Sequence, residues 1–174
     1  MLLLKPCVLD WICGRGRWVG GCQPKYNRAE KEWALEILNS KNKVWSSSLG
    51  ELIVKNILEL NGEKVWRPKT IEGCRPDWET EESIYEVKTR NWTTTGTVGE
   101  KILGVPYKYA NVPQLYNKPL KIVLVGYQEY EATVKFNIFN PTKQRQAQID
   151  LWKTQGIEFL KCSELLDNRI KVLP

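Results

Sequence analysis

Eight residues separate Asp77 of Arg75-Pro76-Asp77 from Glu86 of Glu86-Val87-Lys88. In a strand, successive side chains point to opposite faces. Glu86 and Lys88 then share one side, and Tyr85 and Val87 the other. If Asp77 lies on the neighbouring strand of a hairpin, two carboxylates and one ammonium meet at one point. Two carboxylates supply hard oxygen ligands suited to Mg²⁺. An ammonium beside them is placed for the charge that develops on a phosphate under attack. The spacing reads as a metal-dependent phosphodiesterase centre. A competing reading stands beside it, in which Glu86 and Lys88 are an outward-facing ion pair across i and i+2.

The elements that must position these residues can be read from period and punctuation. Asn27 to Asn39 carries Ala29, Trp33, Ile37 and Leu38 at helical spacing. Ser46 to Leu60 is a second helix with an apolar stripe of Leu49, Leu52, Ile53, Ile57 and Leu60, and Gly62 follows at a C′ position. Ser48-x-x-Glu51 at its start has the form of a capping box. Lys64 to Arg67 suits a strand. Arg75–Trp78 and Ser83–Thr89 suit a hairpin turning at Thr80-Glu81-Glu82. Trp92 to Gly99 is polar and rich in Thr and Gly, a loop. Val98 to Tyr116 is helical but interrupted by Pro106, so two short helices or one kinked helix are expected. Leu120 to Tyr127 is a continuous apolar run, the mark of a central strand buried on both faces. Thr133 to Phe139 alternates and suits an edge strand. Thr142–Thr154 reads as a helix and Ile157–Leu160 as a strand. This mixture of strands and helices is α/β, a mixed central sheet flanked by helices. Residues 1–45 form an N-terminal arm and helix packed on a core of residues 46–174, a single domain overall.

Pro76-Asp77 and Glu86-x-Lys88, with Glu51 opening the upstream helix, resemble the PD-(D/E)XK nuclease superfamily, whose members share the restriction-endonuclease-like fold. The resemblance runs from about Ser46 to Val125. It implies a Mg²⁺-dependent endonuclease that hydrolyses DNA phosphodiesters by in-line attack, leaving a 5′-phosphate and a 3′-hydroxyl. It assigns metal binding to Asp77, Glu86, the Val87 carbonyl and Glu51, and catalysis to Asp77, Glu86, Lys88 and Glu51. Mn²⁺ is expected to substitute for Mg²⁺. A single site cuts one strand, so a double-strand break requires a homodimer or sequential nicking. A site-specific restriction enzyme, a Holliday-junction resolvase, a repair nuclease and an exonuclease can all use this core. The other function classes are a non-catalytic nucleic-acid-binding module and a thiolate-zinc interaction domain.

Composition agrees with a polyanionic partner. The 174-residue chain has a net charge of +6, divided as +4 over residues 1–45, −2 over 46–91 and +4 over 92–174. An acidic middle between basic flanks suits a cation site within a phosphate-binding groove. Arg15 and Arg17 flank Trp18 in an aperiodic stretch and could clasp nucleic acid. Arg90 follows Lys88 on the same face, and Lys101, Lys108 and Tyr109 follow the polar loop, whose Thr93 to Thr97 offer hydroxyls. These are the candidate DNA contacts. Histidine is absent, which excludes Ser-His-Asp and Cys-His hydrolases and histidine-ligated zinc enzymes. The five cysteines form no CxxC pair. Structural zinc on Cys7, Cys13, Cys22 and Cys74 is therefore not expected, and reduced thiols in an intracellular setting are. No apolar run reaches membrane-spanning length.

Overall fold

The structure is a computed structural model that describes residues 6–15, 24–41, 44–93 and 100–170. The hairpin is formed by β1 (Trp78–Glu79) and β2 (Ile84–Arg90), closed by a turn in which Thr80 N–H donates to the Ser83 carbonyl at 2.9 Å. β3 (Leu120–Gly126) and β4 (Ile157–Lys161) complete a four-stranded sheet in the order β1-β2-β3-β4. The hairpin pair is antiparallel, and the β2–β3 and β3–β4 pairs are parallel. Parallel neighbours need crossover connections, and helices supply them.

The period-2 rule decides which helices lie where. Tyr85, Val87, Val123 and Val125 face a cluster built with α1 (Pro6–Ile12), α2 (Pro24–Ile37), α3 (Trp45–Leu60) and α8 (Cys162–Ile170). Ile84, Leu120, Ile122 and Leu124 face a second cluster with α4 (Glu100–Lys108), α5 (Val112–Tyr116), α6 (Tyr127–Val134) and α7 (Lys143–Thr154). β3 is buried on both faces, as its unbroken apolar run requires. The N-terminal helices belong to the first cluster: Val8, Trp11 and Ala34 are fully buried.

α3 lies directly on β2 because Gly50 has no side chain. A Cβ there would fall 1.6 Å from Thr89 Oγ1. α3 ends in a Schellman motif: Glu63 N–H reaches the Leu58 carbonyl and Gly62 N–H the Glu59 carbonyl, each at 3.0 Å, with Gly62 at φ +83°. Its start differs from the capping box. Ser48 Oγ donates back to the Val44 carbonyl at 2.8 Å, and Glu51 turns to Arg67 instead.

Three expected strands are corrected. The first strand of the hairpin is Trp78–Glu79 and not Arg75–Trp78, so Asp77 precedes it. Lys64–Arg67 makes only an isolated bridge, Trp66 to Glu79. Thr133–Phe139 is not a strand: α6 runs through Val134, and residues 135–142 are irregular. Gly126 turns the chain at φ +64°, and Gln128, Glu131 and Ala132 then face inward at helical spacing. Two of those three are polar, which concealed the helical period behind the alternation that follows. Among the described residues no helix is long and apolar enough to cross a membrane.

Candidate metal centre

Asp77 immediately precedes β1. Its N–H donates to the Tyr85 carbonyl at 3.0 Å although Trp78 is the residue in register with Tyr85. Two residues opposite one is the pattern of a β-bulge, which re-aims the side chain at the strand end. The Asp77 carboxylate is thereby turned onto β2, where Oδ2 accepts the Val87 N–H at 2.7 Å. A strand residue's N–H and C=O lie along the same edge. The Val87 carbonyl therefore opens toward the edge that Asp77 occupies.

Glu86 and Lys88 leave β2 on the opposite face from Val87. Glu86 is buried, and the Lys88 ammonium pairs directly with its Oε1. The Tyr109 phenol is a neighbour of Glu86, and burial followed by the Glu86 charge pushes it up. The competing ion-pair geometry is thus present, but on a largely buried glutamate and not on a solvated face.

Burial, reinforced by the charges of Glu86 and Glu51, raises the Asp77 carboxyl to about 7, against the Val87 N–H bond and the Lys88 charge, which pull it down. The four residues singled out by spacing therefore share one electrostatic neighbourhood. A carboxyl raised in the folded state favours the protonated fold. Its contribution to stability is fully present below the ordinary carboxylate range, roughly pH 4, and is lost as pH rises through about 7. Metal-free protein should melt at a lower temperature at pH 8 than at pH 5, and Asp77→Asn should flatten that slope. A slope that the substitution leaves intact would assign it to another group.

Among the described residues no three Asp, Glu or Cys side chains group into a ready-made cage for an ion. The donor set still fits Mg²⁺, which takes one or two carboxylates and keeps several waters. Asp77, Glu86 and the Val87 carbonyl are such a set. Glu51 stands apart from them, with its Oε2 2.5 Å from Arg67 Nη2.

The proposed DNA contacts fare unevenly. Arg90 is buried and ion-paired with Glu131, its guanidinium 4.9 Å from the Tyr127 ring centre. This corrects the expectation of an exposed phosphate contact, because α6 covers the end of β2. Thr93 is buried too, its N–H and hydroxyl bonded to Glu30. Lys108 is exposed, with Nζ 4.7 Å from the ring centre of Tyr109, which links it to the Glu86 neighbourhood. Arg15 is exposed and lies 3.5 Å from Asp10. Arg17, the side chain of Lys101 and Thr94 to Thr97 lie outside the described residues, as does Cys22. Cys7 packs on the first core cluster and Cys74 on the second, so the sheet separates those two thiols. A groove of about 380 Å³ lined by Leu103, Tyr107, Ile149 and Trp152 includes none of Asp77, Glu86 or Lys88.

Arg67 and the buried Tyr109 as a neighbour of Glu86 were not foreseen at the centre. Arg67 carried no signal beyond a strand-like context, and Tyr109 lies 23 residues from Glu86 in sequence. No family model, curated protein or solved structure matches the chain.

Proposed function

We propose that this protein is a Mg²⁺-dependent deoxyribonuclease of the PD-(D/E)XK kind, cutting DNA phosphodiesters as an endonuclease. The observation that carries the reading is the Asp77 carboxylate on the Val87 N–H, beside Glu86 and Lys88, with its proton held up by burial and by two further acids. Acids that raise one another's affinity for a proton are relieved by a divalent cation, and carboxyls perturbed in this way gather at functional sites. The order of elements is consistent with a restriction-endonuclease-like core: α3 carries Glu51, the hairpin carries Asp77 and Glu86, and two parallel strands follow.

Asp77, Glu86 and the Val87 carbonyl would hold the ion, with Mn²⁺ an acceptable replacement. Bound there, Mg²⁺ supplies a lowered water pKa and a polarised phosphate oxygen. Asp77 must shed its proton to bind, so affinity should fall about tenfold per pH unit below 7. Lys88 offsets the negative charge that builds on the phosphate. Glu51 bears on Asp77 through its charge.

Replacing Mg²⁺ with Ca²⁺ should permit DNA binding and suppress cleavage, read as supercoiled plasmid converted to nicked circle. Full cleavage in a chelator would eliminate the metal. The direct Glu86–Lys88 pair favours one second reading, a non-catalytic DNA-binding module. Absence of any product from plasmid, linear duplex and branched junction in Mg²⁺ would select it. Cleavage confined to the junction would select a resolvase or repair nuclease.

A further inference from the structure

Glu51 already has a cation. Arg67 Nη2 lies 2.5 Å from Glu51 Oε2, and Nη1 donates to the Asp77 carbonyl at 2.9 Å and lies 3.9 Å from Asp77 Oδ1. The guanidinium carbon stacks 3.9 Å from the centre of the Trp78 ring, and the Trp78 indole N–H donates to the Glu51 carbonyl at 2.9 Å. Each partner of Arg67 is thus fixed by another partner. A planar fork held by stacking and by two separate acceptors is a built seat for a guanidinium, which an isolated surface pair is not.

Charge counting says what the seat is for. Three carboxylates (Asp77, Glu86 and Glu51) exceed two cations (Lys88 and Arg67) by a single charge. One divalent ion and one phosphodiester neutralise the group. Two divalent ions would leave it with two positive charges in excess, beside carboxylates that are buried or partly buried, where unpaired charge is costly.

We propose that Arg67 takes the place of a second metal: the centre is built for one divalent ion, and Glu51 is a positioning residue that holds Arg67. The inference rests on the reading of Asp77 and Glu86 as ion ligands. It changes the expected role of Glu51 from ligand to anchor. A guanidinium carries five N–H donors, so Arg67 can keep both acceptors and still offer a donor to a phosphate oxygen.

Counting bound Mn²⁺ by electron paramagnetic resonance, without DNA, tests this apart from activity. Wild type should bind one ion per chain. Arg67→Gln should release Glu51 and gain a second, weaker ion, and Arg67→Gln with Glu51→Gln should return to one. Glu51→Gln alone should keep the single ion with affinity close to wild type, a readout that survives if Arg67→Gln fails to fold. Two ions on wild type would overturn the proposal, as would loss of the ion in Glu51→Gln. One ion at unchanged affinity in a folded Arg67→Gln would also overturn it while leaving the nuclease reading standing. No ion on any variant would remove both.

Discussion

Lys88→Ala should slow DNA cleavage by about a thousandfold, the scale on which a single preorganised electrostatic contact to the transition state is lost. DNA affinity measured in Ca²⁺ should stay close to wild type. The asymmetry follows from where Lys88 sits. Its ammonium is half-buried against Glu86 Oε1, at the centre and not on the rim. It therefore has little to offer a resting DNA backbone and much to offer a phosphate gaining charge beside Glu86. Single-turnover cleavage and fluorescence anisotropy on the same duplex separate the two quantities. A mutant that cuts at the normal rate would remove the lysine from the chemistry. Equal losses in binding and cleavage would make it a structural partner of Glu86.

The largest stability effect is expected away from the centre, at Glu131. This carboxylate is 2% exposed. It pairs with Arg90 through Oε2, with Lys135 through Oε1 at 2.9 Å, and accepts from Gln128 at 3.5 Å. Arg90 is itself 5% exposed. Glu131→Ala takes the carboxylate away from that buried guanidinium, and breaking a buried ion pair from one side costs about 3–5 kcal/mol. For a chain of this size that is a fall of roughly 10 °C or more in melting temperature. Replacing both partners together, Arg90→Met with Glu131→Leu, should recover most of the loss, because two well-packed apolar groups leave no orphan charge. A double variant no more stable than Glu131→Ala would mean that the pair contributes packing that these side chains cannot replace. The same experiment separates Arg90 from the DNA contacts, since its effect should appear in melting and not in the salt dependence of binding.

The hairpin was legible because its information is local. Alternation places Glu86 and Lys88 on one face of β2 and Tyr85 and Val87 on the other, and the two core clusters divide along that line. The apolar run of β3 was likewise readable from a few neighbouring residues, and two short helices stand where they were expected, although α4 runs through Pro106 and breaks only after Lys108. What stayed hidden depends on distant chain. Alternation put Arg90 on the face of Lys88, but nothing nearby announces that α6 will cover that end of the strand. Glu51 had two local readings, cap and ligand, and its actual partner Arg67 lies sixteen residues on. Thr93 looked like a hydroxyl on a polar loop until Glu30, 63 residues earlier, claimed it. Periodicity assigns a face; it does not say what will come to lie against that face.

Glu30 itself is fully sealed from water. Its Oε1 accepts the Trp11 indole and the Trp92 amide, each at 2.8 Å, and its Oε2 accepts the Thr93 amide at 3.1 Å. One acid on α2 thus clasps α1 to the stretch of chain that leaves β2. The opening helices are a keystone, not an appendage: a truncated version beginning after residue 45 would lose Trp11 and Glu30 together. The Trp92 and Thr93 amides would be left bare, and the strand that carries Glu86 and Lys88 would no longer be pinned where it ends.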